Sequence, residues 1–171
     1  VRVQVTGLRG GHSGGEIHEG RANAIKLLVR TLLYSKANGL RLASITGGSK
    51  RNAIPREAMA IVTGPVGTLD AVNLAAGIVT EEAKVESLES GTTIKVDTPV
   101  DAPARAVSEV DTMRMLSALM AVPSGVLGMH PTVEGLVETS NNLSTEDTKV
   151  DGSRAVITAG MLSRSSSESR K

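Results

Sequence analysis

At 171 residues the chain is about one domain long, and 40% hydrophobic with 22% charged residues is enough to build a core. Its 19 basic and 18 acidic residues are interspersed for a formal charge of +1, so no basic face stands out for nucleic acid or an anionic membrane. The absence of Phe and Trp argues against aromatic stacking platforms, and the absence of Cys removes disulfides and thiolate metal sites. Apolar runs fall short of the ~20 residues that span a bilayer. The N-terminus lacks the layout of a signal peptide and enters a strand pattern at Val1, which reads as a piece cut from something longer.

Residues 1–8 alternate Val1, Val3 and Val5 with Arg2, Gln4 and Thr6, the signature of a half-buried strand. A glycine-rich loop follows. Ile25, Leu28, Val29, Leu32 and Leu33 then recur at helical spacing, and Asn38-Gly39 reads as a left-handed cap ending that helix. Leu42–Thr46 is a short strand, Gly47–Lys50 a turn, and "RNAIP" (51–55) leads into a strand at Glu57–Thr63. Leu69, Val72, Ala76, Val79 and Ala83 mark a second amphipathic helix, and Thr92–Thr98 a further strand. The order β-α-β-β-α-β over residues 1–100 indicates an α+β fold, a two-layer ferredoxin-like sandwich with an antiparallel sheet and helices on one face.

Beyond Pro99 the layout changes into an extension over residues 101–163. Ser108 and Asp111 start a helix with apolar positions Val110, Met113, Leu116 and Met120, and a loop with Pro123, Gly125, Gly128 and Pro131 follows. Two or three strands come last, with Asp151-Gly152 as a hairpin signal. By composition alone the tail "SRSSSESRK" (163–171) reads as a disordered end.

The stretch "GLRGGHSGGEIHEG" (7–20) carries the chemistry-bearing residues. Gly11-His12-Ser13-Gly14-Gly15 fits the G-x-S-x-G elbow of serine hydrolases, but the helical pattern begins only near Arg21–Ala24 and Ser13 falls in a long loop. As a phosphate loop it lacks Gly-Lys-Ser/Thr and an immediate helix. His12 and His18 are not at metal-binding spacing for one helix face. On spacing alone the loop reads as a flexible connector with incidental histidines.

Four stretches in order, "GLRGGHSGGEIHEGRANAIKLLVRTL" (7–32), "RNAIPREA" (51–58), "GLVETSNNL" (135–143) and "SRSSSES" (163–169), resemble successive landmarks of aminoacyl-histidine dipeptidases. These form the Xaa-His branch of zinc-dependent exopeptidases that also include carboxypeptidase G, carnosinases and succinyl-diaminopimelate desuccinylase. The resemblance covers nearly the whole chain. "EIHEGRANAIKLL" and "ETSNNL" point to the Xaa-His branch in particular. It implies that residues 1–171 are a lid, or dimerisation, domain, with 164–171 returning toward a catalytic domain that holds two divalent metal ions, zinc. The chain itself contains no His-x-Asp, and its Glu81-Glu82 pair sits late in a helix pattern, so no metal ligand is assigned here.

What the resemblance implies can be stated residue by residue. His12 corresponds to the lid histidine that donates a hydrogen bond to the substrate carbonyl as it becomes an oxyanion, while a metal-bound hydroxide attacks. Asn52 corresponds to a lid Asn near the substrate's carboxylate end, and Arg164 to the Arg that grips that carboxylate. Ser140, Asn141 and Asn142 are candidates to line the site, and His18 and His130 are left as surface or structural. The implied partners are a dipeptide, the protein's own catalytic domain and a second copy in a homodimer, in the cytoplasm. This chain alone would then be inactive. The alternatives are a non-catalytic ferredoxin-like module for dimerisation or ligand binding, and a serine esterase at Ser13.

Overall fold

The computed structural model describes residues 1–87, 89–98, 101–151 and 154–166. Along β1 (Arg2–Thr6), Val3 and Val5 are fully buried while Gln4 faces the other way, as a period of two requires. The chain then makes β2 (Gly11–His12), a single 3-10 turn (Ile17–Glu19) and α1 (Ala24–Tyr34). β3 (Arg41–Gly47), β4 (Ala53–Ile54), β5 (Ala58–Thr63), α2 (Thr68–Glu86) and β6 (Thr93–Asp97) complete the first unit. After it come α3 (Glu109–Ala121), β7 (Gly125–Met129), β8 (Val137–Asp151) and β9 (Arg154–Ser165).

The main sheet runs β6-β1-β5-β3-β8-β7, with β9 on β8, and every pairing is antiparallel. Its first four strands, with α1 and α2 as crossovers, are the ferredoxin-like sandwich that the element order predicts, helices on one side. The core lies between the layers: Val3, Val5, Leu42, Ile45, Ala60 and Val62 from the sheet meet Ile25, Leu28, Leu32, Val72 and Val79 from the helices. β8 joins the β3 edge at Thr46–Asp147 and Gly47–Glu146, so the extension continues the same sheet.

Three differences from the pattern reading have physical causes. α1 ends at Tyr34, earlier than Asn38-Gly39: Ser35 N–H closes the last turn on Thr31 O and Lys36 (φ 46°) already turns left-handed, while Gly39 is left-handed as expected (φ 75°) but lies beyond the helix. α3 turns Thr112, Leu116 and Leu119 inward and leaves Val110, Met113 and Met120 59%, 38% and 38% exposed. The inward Thr112 is explained by its hydroxyl, which accepts from Leu42 N–H at 2.8 Å beside an irregularity in β3. Third, β7 occupies residues that Gly and Pro content marked as loop, since pairing with β8 outweighs local propensity. The β8–β9 hairpin sets Asp151 opposite Arg154, with Gly152 outside the described residues. β9 runs through Ser165, so the start of the Ser-rich tail is strand.

α3 is fastened at both ends. Ser108 Oγ caps its N-terminus by accepting from Asp111 N–H at 3.1 Å. At its C-terminus the Lys26 ammonium donates to the carbonyls of Leu119 (2.7 Å), Met120 (2.8 Å) and Val122, satisfying acceptors that the helix leaves unpaired.

Where β8 meets β3, Glu146 is only 3% exposed, and its Oε2 has no hydrogen-bond partner among the described residues. Burial pushes its carboxyl up to about 8, aided by the neighbouring Asp147 and opposed by a bond from Thr148 Oγ1. The folded value lies above the unfolded one, so the neutral form's stability is fully present below about pH 4.5 and is lost as pH rises through about 8. Thermal melts should therefore fall over that window. Glu146→Gln should flatten the curve and be more stable than the parent on the alkaline side, by up to roughly a few kcal/mol. Parallel curves for the two proteins would refute a buried titrating carboxyl.

Candidate functional site

The glycine loop and "RNAIP" are joined by a two-strand ribbon. β2 and β4 pair antiparallel, with Gly11 opposite Ile54 and His12 opposite Ala53, and Ser13 N–H extends the ladder to Asn52 O at 2.9 Å. Ala24 N–H donates to Pro55 O at 2.9 Å, tying the ribbon to the first turn of α1. Pro55 holds Ile54 extended, which suits it to this strand.

The ribbon is gripped from behind by β8. Asn142 Nδ2 donates to Ala53 O at 2.7 Å, and Ser144 Oγ donates to Arg51 O at 2.6 Å. Asn23 links this frame to α1: its Oδ1 caps the helix by accepting from Ile25 N–H at 3.0 Å, while its Nδ2 donates to Leu143 O at 2.8 Å. Asn141 Nδ2 donates to Pro123 O, and its Oδ1 accepts from Ser163 Oγ, both at 2.6 Å. Ser140, Asn141 and Asn142 are 5%, 4% and 1% exposed, so the two amides belong to the frame and are not offered to solvent. A role in direct ligand contact does not suit buried amides whose hydrogen bonds go to protein.

His12 itself is exposed. Its Nδ1 accepts from the backbone N–H groups of both Gly14 and Gly15, each at 3.1 Å. In the neutral imidazole that fixes the tautomer: Nδ1 is the acceptor and Nε2 carries the hydrogen. Arg164, on β9 opposite Ser140, reaches the same place. A Cβ added to Gly14 would lie 1.5 Å from Arg164 Nη1 and 3.0 Å from His12 Cε1, so the guanidinium and the imidazole meet over a residue without a side chain. Asn52 is exposed beside Ser13, its backbone carbonyl already used by the ribbon. Thus the fold brings His12, Asn52 and Arg164 to one end of the molecule, with Asn141 and Asn142 supporting them.

The remaining motif readings fail on geometry. Ser13 is 2% exposed and its hydroxyl has no hydrogen-bond partner among the described residues, whereas an elbow serine stands exposed on a strand-to-helix turn. α1 begins ten residues after the loop's Gly14, at Ala24, so no α-helix follows the glycines directly as a phosphate loop requires. His18 lies exposed on the 3-10 turn. His130 Nδ1 accepts from Val133 N–H at 3.1 Å in a surface turn. Among the described residues no group of three or more His, Cys, Asp and Glu side chains could hold a metal ion, so the residues present do not fit one.

Pattern reading missed Asn23, although an Asn directly before an apolar helical stripe is an N-cap signal. It also passed over Glu16 and Arg21, charged residues in a loop whose pairing only the fold reveals.

This loop, ribbon and sheet define a class. Residues 3–81 match the family described as peptidase dimerisation domain, and this part of the chain belongs to it. Over 146 residues it is 38% identical to the cytosol non-specific dipeptidase of Escherichia coli, which covers 83% of this chain and 30% of that protein. The crystal structure of aminoacylhistidine dipeptidase from Vibrio alginolyticus superposes with a TM-score of 0.86 at 37% identity, over 99% of this chain and 34% of that one. The chain thus spans about a third of the length of the relatives it matches. Among the described residues no helix is long and apolar enough to cross a membrane.

Proposed function

We propose that this chain is the lid of a longer metal-dependent dipeptidase that hydrolyses Xaa-His dipeptides in the cytoplasm. The observation that carries this reading is the meeting of His12 and Arg164 over Gly14. An Nε2–H donor and a planar guanidinium side by side suit the two ends of a short peptide. His12 donates from Nε2 to the scissile carbonyl oxygen as it gains negative charge, and Arg164 grips the terminal carboxylate through two parallel hydrogen bonds. Asn52 adds an exposed amide near that carboxylate. Asn141 and Asn142 act through the frame, by holding β9 and the ribbon in place.

The reaction also calls for two divalent metal ions, zinc, which would sit in a catalytic domain outside this chain and supply the nucleophile there. Both relatives being about three times as long supports that division. Homodimerisation is supported by the family's description and by an outward apolar stripe on α2, where Leu74, Ile78 and Val85 are 71%, 47% and 79% exposed at helical spacing. The same stripe favours a second reading, a dimerisation or ligand-binding module without catalysis.

Activity of the longer, zinc-loaded protein separates the two. On the first reading it cleaves β-Ala-His and other Xaa-His dipeptides in preference to dipeptides lacking His, and the 171-residue chain cleaves none. Zinc-dependent hydrolysis by the 171-residue chain would refute the division of labour, and equal rates on all dipeptides would refute the His preference. No cleavage by the longer protein leaves the module reading.

A further inference from the structure

We propose that Glu16 and Arg21 are positioning residues for His12, locking the backbone from Gly10 to Glu16 so that the imidazole stands in one orientation and one tautomer. The inference rests on the role given to His12 above.

The glycine-rich segment would by composition be loose, since glycine gives up the most backbone freedom on ordering. Here it is closed on itself. His12 N–H donates to Glu16 Oε2 at 2.6 Å, and Glu16 N–H donates back to His12 O at 2.9 Å. These reciprocal bonds define the turn in which Gly14 and Gly15 aim their N–H groups at His12 Nδ1.

Arg21 holds the turn from the other side. Its Nη2 donates to Glu16 Oε1 at 2.6 Å, its Nη1 to Gly10 O at 2.5 Å, and its Nε to Glu19 Oε2 at 3.0 Å. The guanidinium lies against the peptide: a Cβ on Gly11 would come within 2.3 Å of Nη1 and 2.8 Å of Glu16 Oε2. Only 14% of the Arg21 side chain is exposed. The planar fork makes three separate points of the loop into one rigid piece, which a lysine could not do. The Glu16 carboxyl is held below its ordinary value, first by the bond from His12 N–H and also by Arg21, so it stays ionised and the clamp stays shut at neutral pH. Neither residue need touch a substrate. Their effect is to keep Nε2–H where it is wanted, and a small misplacement of a reacting group can cost about 100-fold in rate.

The test uses the longer, zinc-loaded protein and an Xaa-His dipeptide. Glu16→Ala and Arg21→Ala should each lower kcat by about 10–100-fold with KM nearly unchanged. Glu16→Gln, whose amide oxygen still accepts from His12 N–H but whose NH2 cannot accept from Arg21 Nη2, should recover part of the loss, and Arg21→Lys little of it. A second readout is independent of activity: ring-nitrogen NMR shifts of labelled histidine, assigned by comparison with His12→Ala. The parent should show one Nε2–H tautomer, and Glu16→Ala a mixture of the two. If Glu16→Ala is too unstable to study, Arg21→Lys gives the same comparison. Unchanged kcat and an unchanged tautomer in Glu16→Ala, or in Arg21→Lys where that variant stands in for it, would overturn the positioning role. Should His12→Ala itself leave kcat intact, the proposed function fails, while the tautomer comparison still decides whether Glu16 and Arg21 hold the ring.

Discussion

Replacing His12 by Ala in the longer protein is expected to lower kcat by about 100–1,000-fold, or roughly 3–4 kcal/mol of transition-state stabilisation, with KM little changed. The magnitude is that of a single preorganised donor at a developing oxyanion. The split between kcat and KM follows from the donor's chemistry. A carbonyl oxygen in the bound substrate is a modest acceptor, and the same oxygen bearing a full negative charge is a strong one, so the bond strengthens only as the reaction proceeds. Nδ1 is occupied by two backbone N–H groups, which leaves Nε2–H for this task and makes proton abstraction by the neutral ring unsuited to the tautomer these bonds imply. Folding should survive the change, since His12 is exposed and water can replace it at Gly14 and Gly15. Steady-state kinetics with an Xaa-His dipeptide, alongside a melting curve, check both halves. A rise in KM at constant kcat would make His12 a ground-state contact, and no change in either would remove it from the site.

How much of this could be read beforehand depended on the range of the interaction. β1, α1, β5 and α2 each bury one face, so their periodicity survives in the sequence and the ferredoxin-like order was legible. α3 was legible as a helix but not in its rotation, because a Thr turned inward for Leu42 N–H breaks the apolar stripe. β7, and the two-residue strands β2 and β4, are held by partners distant in sequence, and nothing in their composition announces it. The site shows the same divide. His12, Asn52 and Arg164 were named from separate landmarks, but that His12 and Arg164 share Gly14 depends on β9 lying along β8. The glycine loop read as a flexible connector is instead pinned through Glu16 and Arg21. Any movement of the domain therefore carries His12 as part of a rigid body.

Arg164→Ala should raise KM for the dipeptide by about 10–100-fold and change kcat less, the scale of a lost charge-assisted hydrogen bond of roughly 1.5–3 kcal/mol. Lysine at this position should restore little, having no fork to match a carboxylate. The structure adds a sharper form of the test, because Gly14 offers a second way to remove the same guanidinium. Its backbone is not among the left-handed glycines, so Ala is allowed there, yet the new Cβ would fall 1.5 Å from Arg164 Nη1. The end of an exposed arginine is free to swing away, so Gly14→Ala should keep the parent's melting temperature while reproducing the KM of Arg164→Ala. It should also depress kcat to the extent that the Cβ, 3.0 Å from Cε1, shifts the His12 ring. Because both changes act on one group, the KM effects should not add in the double variant. Additive effects would mean that Arg164 works elsewhere than over Gly14. An amidated dipeptide, lacking the terminal carboxylate, gives the last discrimination. On that substrate the parent and Arg164→Ala should converge, and a persistent gap between them would show that Arg164 binds some other part of the peptide.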